Sequence, residues 1–183
     1  NTYNDRIHNC IYFITSAYSK DNNEYKLYGF SMNYENEKSE IHLLDEMSYT
    51  EFLKIGKYNS KCSYNNQHFL IYHDLKSKTG NTASIKLKLF DLQNWKEVWK
   101  KQIKFPEKEN KFNIDTLILN NHGTIFIGAS IRGKKRKIQS IQVSRYSKDN
   151  DAIDRTMELA PDHTAVDYAL FINKQNNLNF LAL

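Results

Sequence analysis

The histidines are the side chains of this sequence best suited to acid–base chemistry. His68 and His122 lie beside Asn-rich turns, and His73 is followed directly by Asp74. A histidine oriented by a carboxylate can act as a general base. No positioned nucleophile accompanies the pair, however, and adjacent residues in a strand point to opposite faces. We therefore expect no catalytic site here, and we find no better support for a metal held by His8, His68 and His122.

Asp115 and Asp167 occupy equivalent places in two repeating segments of the chain. Acidic residues at such places could line a central channel and bind a cation. One aspartate per repeat more often caps a turn or accepts backbone N–H bonds, and we favour that interpretation. The sequence indicates no cofactor.

The one dense cationic cluster comprises Lys134, Lys135, Arg136 and Lys137, preceded by Arg132 and Gly133. It precedes an alternating strand, so we interpret it as a solvated hairpin tip. Contact with a phosphate, a lipid headgroup or a glycan is the alternative.

The overall charge and the cysteines exclude several classes of site. The net charge is +5, from 26 basic and 21 acidic residues that are mostly interspersed. Nucleic-acid binding would need a clustered stripe, so we expect none. Cys10 and Cys62 lack the spacing of a zinc or redox motif, and we expect two buried free thiols, a disulfide being the alternative. No segment is apolar over enough residues to span a membrane.

Four short apolar strands, each following a polar turn, recur along the chain and predict its architecture. They are centred on Tyr12, Leu70, Phe126 and Phe180, about 55 residues apart, a period typical of four-stranded propeller blades. Between them apolar and polar residues alternate, as in Ser84–Leu89, where the lysines share one face of a half-buried strand. We predict an all-β fold of about three and a half antiparallel blades, near residues 1–52, 53–110, 111–162 and, incomplete, 163–183.

The pattern predicts individual strands as well. They lie near 9–18, 24–33 and 39–45 in the first unit, near 53–58, 67–75, 84–92 and 96–105 in the second, near 114–120, 123–132, 136–147 and 154–159 in the third, and near 165–173 and 177–183 in the fourth. Turns rich in Asn and Gly separate them, because these residues tolerate positive φ. They are predicted at 21–23, 65–66, 120–123, 147–150 and 176–177.

Two segments compete with an all-β interpretation. Residues 45–55 could form a helical turn capped by Ser48 or Thr50. Residues 93–100 could also be helical, but alternation places Trp95 and Trp99 on one strand face, so we predict a strand.

Several segments resemble blades of uncharacterised propeller-like proteins from Bacteroidetes. They are residues 88–92, 95–106, 112–115, 121–128 and, at the start of the next blade, 165–173. The resemblance is strongest over residues 84–183. It implies a propeller fold and an exported protein, and it supplies no functional residues to carry over.

We therefore predict a non-catalytic binding or scaffold module that presents propeller loops to a protein partner, in the periplasm, outer membrane or at the cell surface. The alternative is a carbohydrate-binding or hydrolytic propeller with its site at the channel mouth. The chain starts at Asn1 without Met and stops at Leu183 within a predicted strand. We expect a piece of a larger ring, completed by further blades of the same chain or by partner copies, and we prefer the former.

Overall fold

The fold is described from a computed structural model, which covers residues 2–5, 10–35, 39–55, 58–74, 82–108, 111–133, 138–158, 168–173 and 178–182. Strands dominate it, as predicted, and one helix of seven residues is present in these ranges. Every strand pairing is antiparallel.

The strands form four sheets in chain order. The first sheet comprises β1 (Thr2–Asp5), β2 (Cys10–Ser19), β3 (Glu24–Asn33) and β4 (Ser39–Ser48), and helix α1 (Tyr49–Ile55) follows it. The second comprises β5 (Asn59–Cys62), β6 (His68–Asp74), β7 (Thr82–Asp91) and β8 (Glu97–Lys108). The third comprises β9 (Phe112–Leu119), β10 (Ile125–Arg132), β11 (Ile138–Tyr146) and β12 (Asp151–Glu158), and the fourth β13 (Tyr168–Ile172) and β14 (Leu178–Ala182).

The central strands of the second sheet, β6 and β7, are packed on both faces. On β6, Phe69 and Ile71 pack with Tyr12 of the first sheet, whereas Leu70 packs with Ile125 of the third. Strand β9 contacts both β5 and β13, so the first strands of the second, third and fourth sheets lie side by side. The sheets are therefore stacked face to face in chain order.

Several strand predictions need correction. The first sheet contains β1, which the pattern did not reveal, and the strand predicted at 53–58 is wrong. Residues 49–55 are helical and the strand starts at Asn59. Ser48 caps α1, as one alternative predicted, because its Oγ accepts a hydrogen bond from the Glu51 N–H at 3.2 Å.

The two tryptophans do not share a strand face. Trp95 lies in the turn before β8 with a φ of 56°, and its ring packs between the first and second sheets. Trp99, on β8, packs between the second and third sheets. The turn reverses the chain too tightly for the alternation to continue through Trp95.

The cysteines and turns follow the sequence more closely. Cys10 and Cys62 form no disulfide, as expected, although both thiols are half-buried and not fully enclosed. Positive φ occurs at Asn23, Asn66 and Gly123, within three of the predicted turns. The predicted turn at Asn176–Asn177 lies outside the described residues.

The contact between Gly29 and Trp95 gives a test of the first sheet interface. A Cβ on Gly29 would lie 2.7 Å from Cη2 and Cζ3 of the indole, so Gly29→Ala forces the ring to move. We expect the free energy of unfolding to fall by about 1–3 kcal/mol, measured by urea denaturation. In a Trp95→Leu background the same substitution should cost less. An equal cost in both backgrounds would contradict the proposed steric origin.

Candidate functional site

An open cleft lies where the second, third and fourth sheets meet. Its volume is about 580 Å³, and it is bounded by the β5–β6 turn, the end of β9 and the end of β13. Its lining combines aliphatic and amide side chains: Ile118, Leu119, Ile172, Asn120, Asn121, Asn173, Cys62 and Tyr64. These residues come together because the turn from first to second strand lies at the same end of each sheet.

Hydrogen bonds within the turns hold the walls of the cleft. The Asn120 side-chain oxygen accepts bonds from the N–H groups of His122 and Thr124, at 3.0 and 2.9 Å. In the second sheet Ser63 Oγ accepts the His68 N–H at 2.9 Å. A small polar residue therefore ends the first strand of both sheets and fixes the turn that follows.

One hydrogen bond joins the two turns across the sheets. The Asn65 N–H donates to Oδ1 of Asn121 at 3.0 Å. Tyr64, the residue before it, is 95% exposed, which is exceptional for so large a ring. The cleft thus carries an exposed aromatic side chain on a turn that is held by hydrogen bonds within its own sheet and to the third sheet.

The structure brings His68 near His122 at this end of the sheets. The His68 ring lies against Gly123, whose φ of 75° disfavours any other residue and whose neighbours would crowd an added Cβ at 3.0–3.2 Å. Burial lowers the pKa of His68, and the nearby His122 adds to this, while Asp91 and the Asn121 carbonyl oppose it. His8 lies outside the described residues, and within the described ranges no group of three His, Cys, Asp or Glu side chains could hold a metal.

His73 and Asp74 are directed to opposite sides of β6. His73 is 3% exposed and its ring meets Tyr58 edge-on, whereas Asp74 is exposed. Burial lowers the pKa of His73, assisted by Lys86 and opposed by Asp45 and Glu51. Burial, followed by the charge of Asp45, raises the pKa of Tyr58. As the alternation predicts, the adjacent pair does not form a base–carboxylate dyad.

A charged contact between the first two sheets was missed by sequence reasoning. Lys88 Nζ lies 3.1 Å from Asp45 Oδ1 and donates to the Leu44 carbonyl at 2.8 Å. The prediction that the β7 lysines face solvent is therefore wrong for Lys88, because the first sheet covers that face. Alternation in a single strand shows that its polar residues share one side, but it does not show whether another sheet packs over that side.

Asp115 lies exposed on β9, the first strand of its sheet. It accepts hydrogen bonds from the Asn113 amide and, at 2.7 Å, from the hydroxyl of Tyr168 on β13. It therefore links the third and fourth sheets, and its role in a channel stays a prediction. Asp167 lies outside the described residues.

Of the predicted basic loop, the structure describes Arg132 and not residues 134–137. Arg132 ends β10, is half-exposed, and its N–H donates to the Lys111 carbonyl at 2.7 Å. Its contact with an anionic partner stays a prediction. No described helix has the length and apolar character needed to cross a bilayer.

Comparisons with known proteins find structures of similar fold but no family to which the chain belongs. No protein-family model and no curated protein matches the chain. Among solved structures it is similar to an acylaminoacyl peptidase from Pyrococcus horikoshii, with 7% identity and a TM-score of 0.40 over 93% of this chain. It is also similar to the β-propeller domain of the Trilobed protease from Pyrococcus furiosus, with 10% identity and a TM-score of 0.28 over 96% of this chain and 74% of that domain's chain.

The chain spans about a third of the Pyrococcus horikoshii peptidase, 33% of its length. At such identities and TM-scores, neither protein lends this chain an activity or a substrate.

The burial of His73 predicts acid sensitivity. Its pKa in the folded chain lies below the value of about 6.5 expected on unfolding, so the unfolded chain binds the proton first as pH falls. The contribution of His73 to the free energy of unfolding should be nearly constant well above about pH 6.5 and become increasingly unfavourable below it. His73→Gln should flatten this decrease, measured by urea denaturation between about pH 7.5 and 5. An unchanged pH dependence in the variant would contradict the assignment.

The hydrogen bond between Asp115 and Tyr168 should stabilise the β13–β14 hairpin against local opening. Tyr168→Phe removes one hydrogen bond and should lower the opening free energy of the β13–β14 amides by about 0.5–1.5 kcal/mol, measured by hydrogen exchange. Tyr34→Phe, at a tyrosine that is 45% exposed, serves as the matched control. Equal exchange in both variants would show that the contact does not hold the hairpin.

Proposed function

We propose that this chain is a segment of a β-propeller that acts as a non-catalytic binding module, with a protein partner docking at the open cleft. The support for the propeller is topological. Three consecutive four-stranded antiparallel sheets stack in chain order, and the first strand of the third sheet lies beside the first strands of the second and the fourth. That arrangement is the repeating unit of propellers.

The cleft is the observation that carries the binding role. Its volume of about 580 Å³ falls within the usual range of ligand sites, roughly 300–1,000 Å³. Aliphatic side chains supply apolar area, and the side-chain NH2 group of Asn121, whose Oδ1 is held by the Asn65 N–H, can donate to a C=O group of a bound segment. Tyrosine and asparagine are also typical of protein-binding loops, because a rigid ring loses little entropy on contact.

The fixed turns favour recognition over chemistry. Asn121 and Asn120 are held in place by the turn hydrogen bonds, so the cleft is ordered before a partner arrives. Preorganisation of this kind improves affinity by reducing the entropy lost on binding. We place the module in an extracytoplasmic assembly on the basis of the resemblance of its blade segments to exported proteins.

A carbohydrate ligand is the second candidate, supported by Tyr64. A ring that is 95% exposed next to several amides offers a flat apolar surface together with hydrogen-bonding groups, as a sugar requires. The arrangement of the described histidines gives no support to a hydrolytic propeller.

Site-specific photo-crosslinking tests the proposal in the native host. A benzophenone amino acid at position 64 should give a specific adduct, identified as a protein by mass spectrometry. The same amino acid at position 34, another exposed tyrosine, provides the control. A sugar adduct would favour the second candidate. Equal, diffuse labelling from both positions would refute docking at the cleft.

A further inference from the structure

Two asparagines of the open cleft have side-chain amides of determined orientation. The Oδ1 of Asn120 accepts the N–H groups of His122 and Thr124, and the Oδ1 of Asn121 accepts the N–H of Asn65. A backbone N–H can bond only to the oxygen of a side-chain amide, so the nitrogen of each amide must be the other atom. The part of each amide that remains for a ligand is therefore its NH2 group, which only donates.

The NH2 groups of Asn120 and Asn121 have no hydrogen-bond partner among the described residues. Asn120 is only 7% exposed, and buried donors in native proteins are almost always bonded to an acceptor. Its nitrogen is nevertheless not one of the enclosed polar atoms of the described residues, so a molecule in the cleft can reach it. An acceptor on that molecule would satisfy a donor that the fold itself leaves unsatisfied.

The described lining of the cleft is also uncharged. None of the described residues that line it is Asp, Glu, Lys or Arg, although 26% of the residues of the chain are charged. An ionised group that entered the cleft would lose hydration without meeting an opposite charge, which is costly. The lining therefore favours a ligand that is neutral where it enters.

The apolar wall of the cleft lies inside the stack of sheets. Leu119 packs in the core between the second and third sheets, so its neighbour Ile118 is directed to the other side, toward the fourth sheet. Ile172 shares the face of Leu170, which contacts the third sheet at Gly128. This wall is formed between consecutive sheets of the chain and not by the outer face of the first or the last sheet.

We propose that the cleft recognises an uncharged peptide segment of its partner through a backbone carbonyl group. The carbonyl oxygen accepts hydrogen bonds from the NH2 groups of Asn120 and Asn121, because its two lone pairs can serve both donors. An aliphatic side chain of the segment packs on Ile118, Leu119 and Ile172. This inference rests on the proposed docking of a protein partner at the cleft, and it adds the chemistry that the docked segment must carry.

NMR titration with N-acetyl-leucine N-methylamide tests the recognition directly, because this neutral probe has two carbonyl groups and an aliphatic side chain. The side-chain NH2 resonances of Asn120 and Asn121 should shift, with a Kd of about 1 mM, as expected of so small a ligand. The corresponding lysine and aspartate probes keep both carbonyl groups and should bind at least about tenfold more weakly. Weaker binding of the aspartate probe would not reflect the net charge, which is +5.

Asn121→Asp removes the donor and keeps the contact within the turn. The carboxylate can still accept the Asn65 N–H, but it repels a carbonyl oxygen, so the leucine probe should bind at least about tenfold more weakly. Asn120→Asp should act in the same direction. Asn94→Asp is the matched control and should leave binding unchanged, because Asn94 Oδ1 accepts the Lys96 N–H at 2.8 Å in a turn that does not line the cleft. Circular dichroism verifies the folding of each variant.

The outcomes separate this inference from the proposed function. Absence of binding by the leucine probe, equal binding of the charged probes, or tighter binding to Asn121→Asp would each overturn carbonyl recognition, whatever adduct forms at position 64. Binding of the leucine probe without a protein adduct at position 64 would support carbonyl recognition and refute the protein partner. Tighter binding of N-acetylglucosamine than of the leucine probe would overturn the assignment to a peptide.

Discussion

The packing of the two central strands of the second sheet, β6 and β7, on both faces is the constraint on which the rest of the structure depends. Leu70, Leu87 and Leu89 pack toward the third sheet, while Phe69 and Phe90 pack toward the first. Since neither side of β6 and β7 faces solvent over most of their length, the sheets before and after must be present for these strands to be stable. Each fully buried aliphatic side chain contributes about 1.5–3 kcal/mol relative to exposure, so the stacking accounts for a large part of the driving force for folding.

Polar contacts determine how the stacked sheets align. An apolar interface alone tolerates sliding, because hydrophobic attraction has no direction. The Lys88–Asp45 pair does have direction, and only 8% of the Asp45 side chain is exposed. A buried pair of this kind contributes little net stability, yet leaving one charge without the other is costly. We infer that it selects one alignment of the first sheet on the second.

The sequence predicts a strand well where apolar and polar residues alternate throughout it, and poorly where the chain turns or forms a helix. Alternation identified β7, the recurring apolar segment identified β10, and asparagines and glycine marked the turns. It failed at residues 49–62, where a capped helix precedes a four-residue strand too short to show a period. The predicted centre of the fourth repeat, Phe180, is wrong by one residue. Leu178 pairs with Ile172 in the fourth sheet as Ile125 pairs with Leu119 in the third. The residue that corresponds to Phe126 is therefore Asn179. The cleft was not predicted, because three different sheets form its walls and alternation within a strand does not show how sheets pack together.

The hydrogen bond from Asn65 to Asn121 has a thermodynamic consequence. It connects two sheets at the edge of the cleft, and Ile172 and Asn173 of a third element complete the wall. Any molecule that fills the cleft must touch all three sheets, so it binds the stacked state and not a state in which one sheet has separated. Occupancy then adds a stabilisation of RT ln(1 + [L]/Kd) to the stacking itself. The ligand concentration would therefore set how often the sheets part, and the module's resistance to proteolysis would report on the presence of its partner.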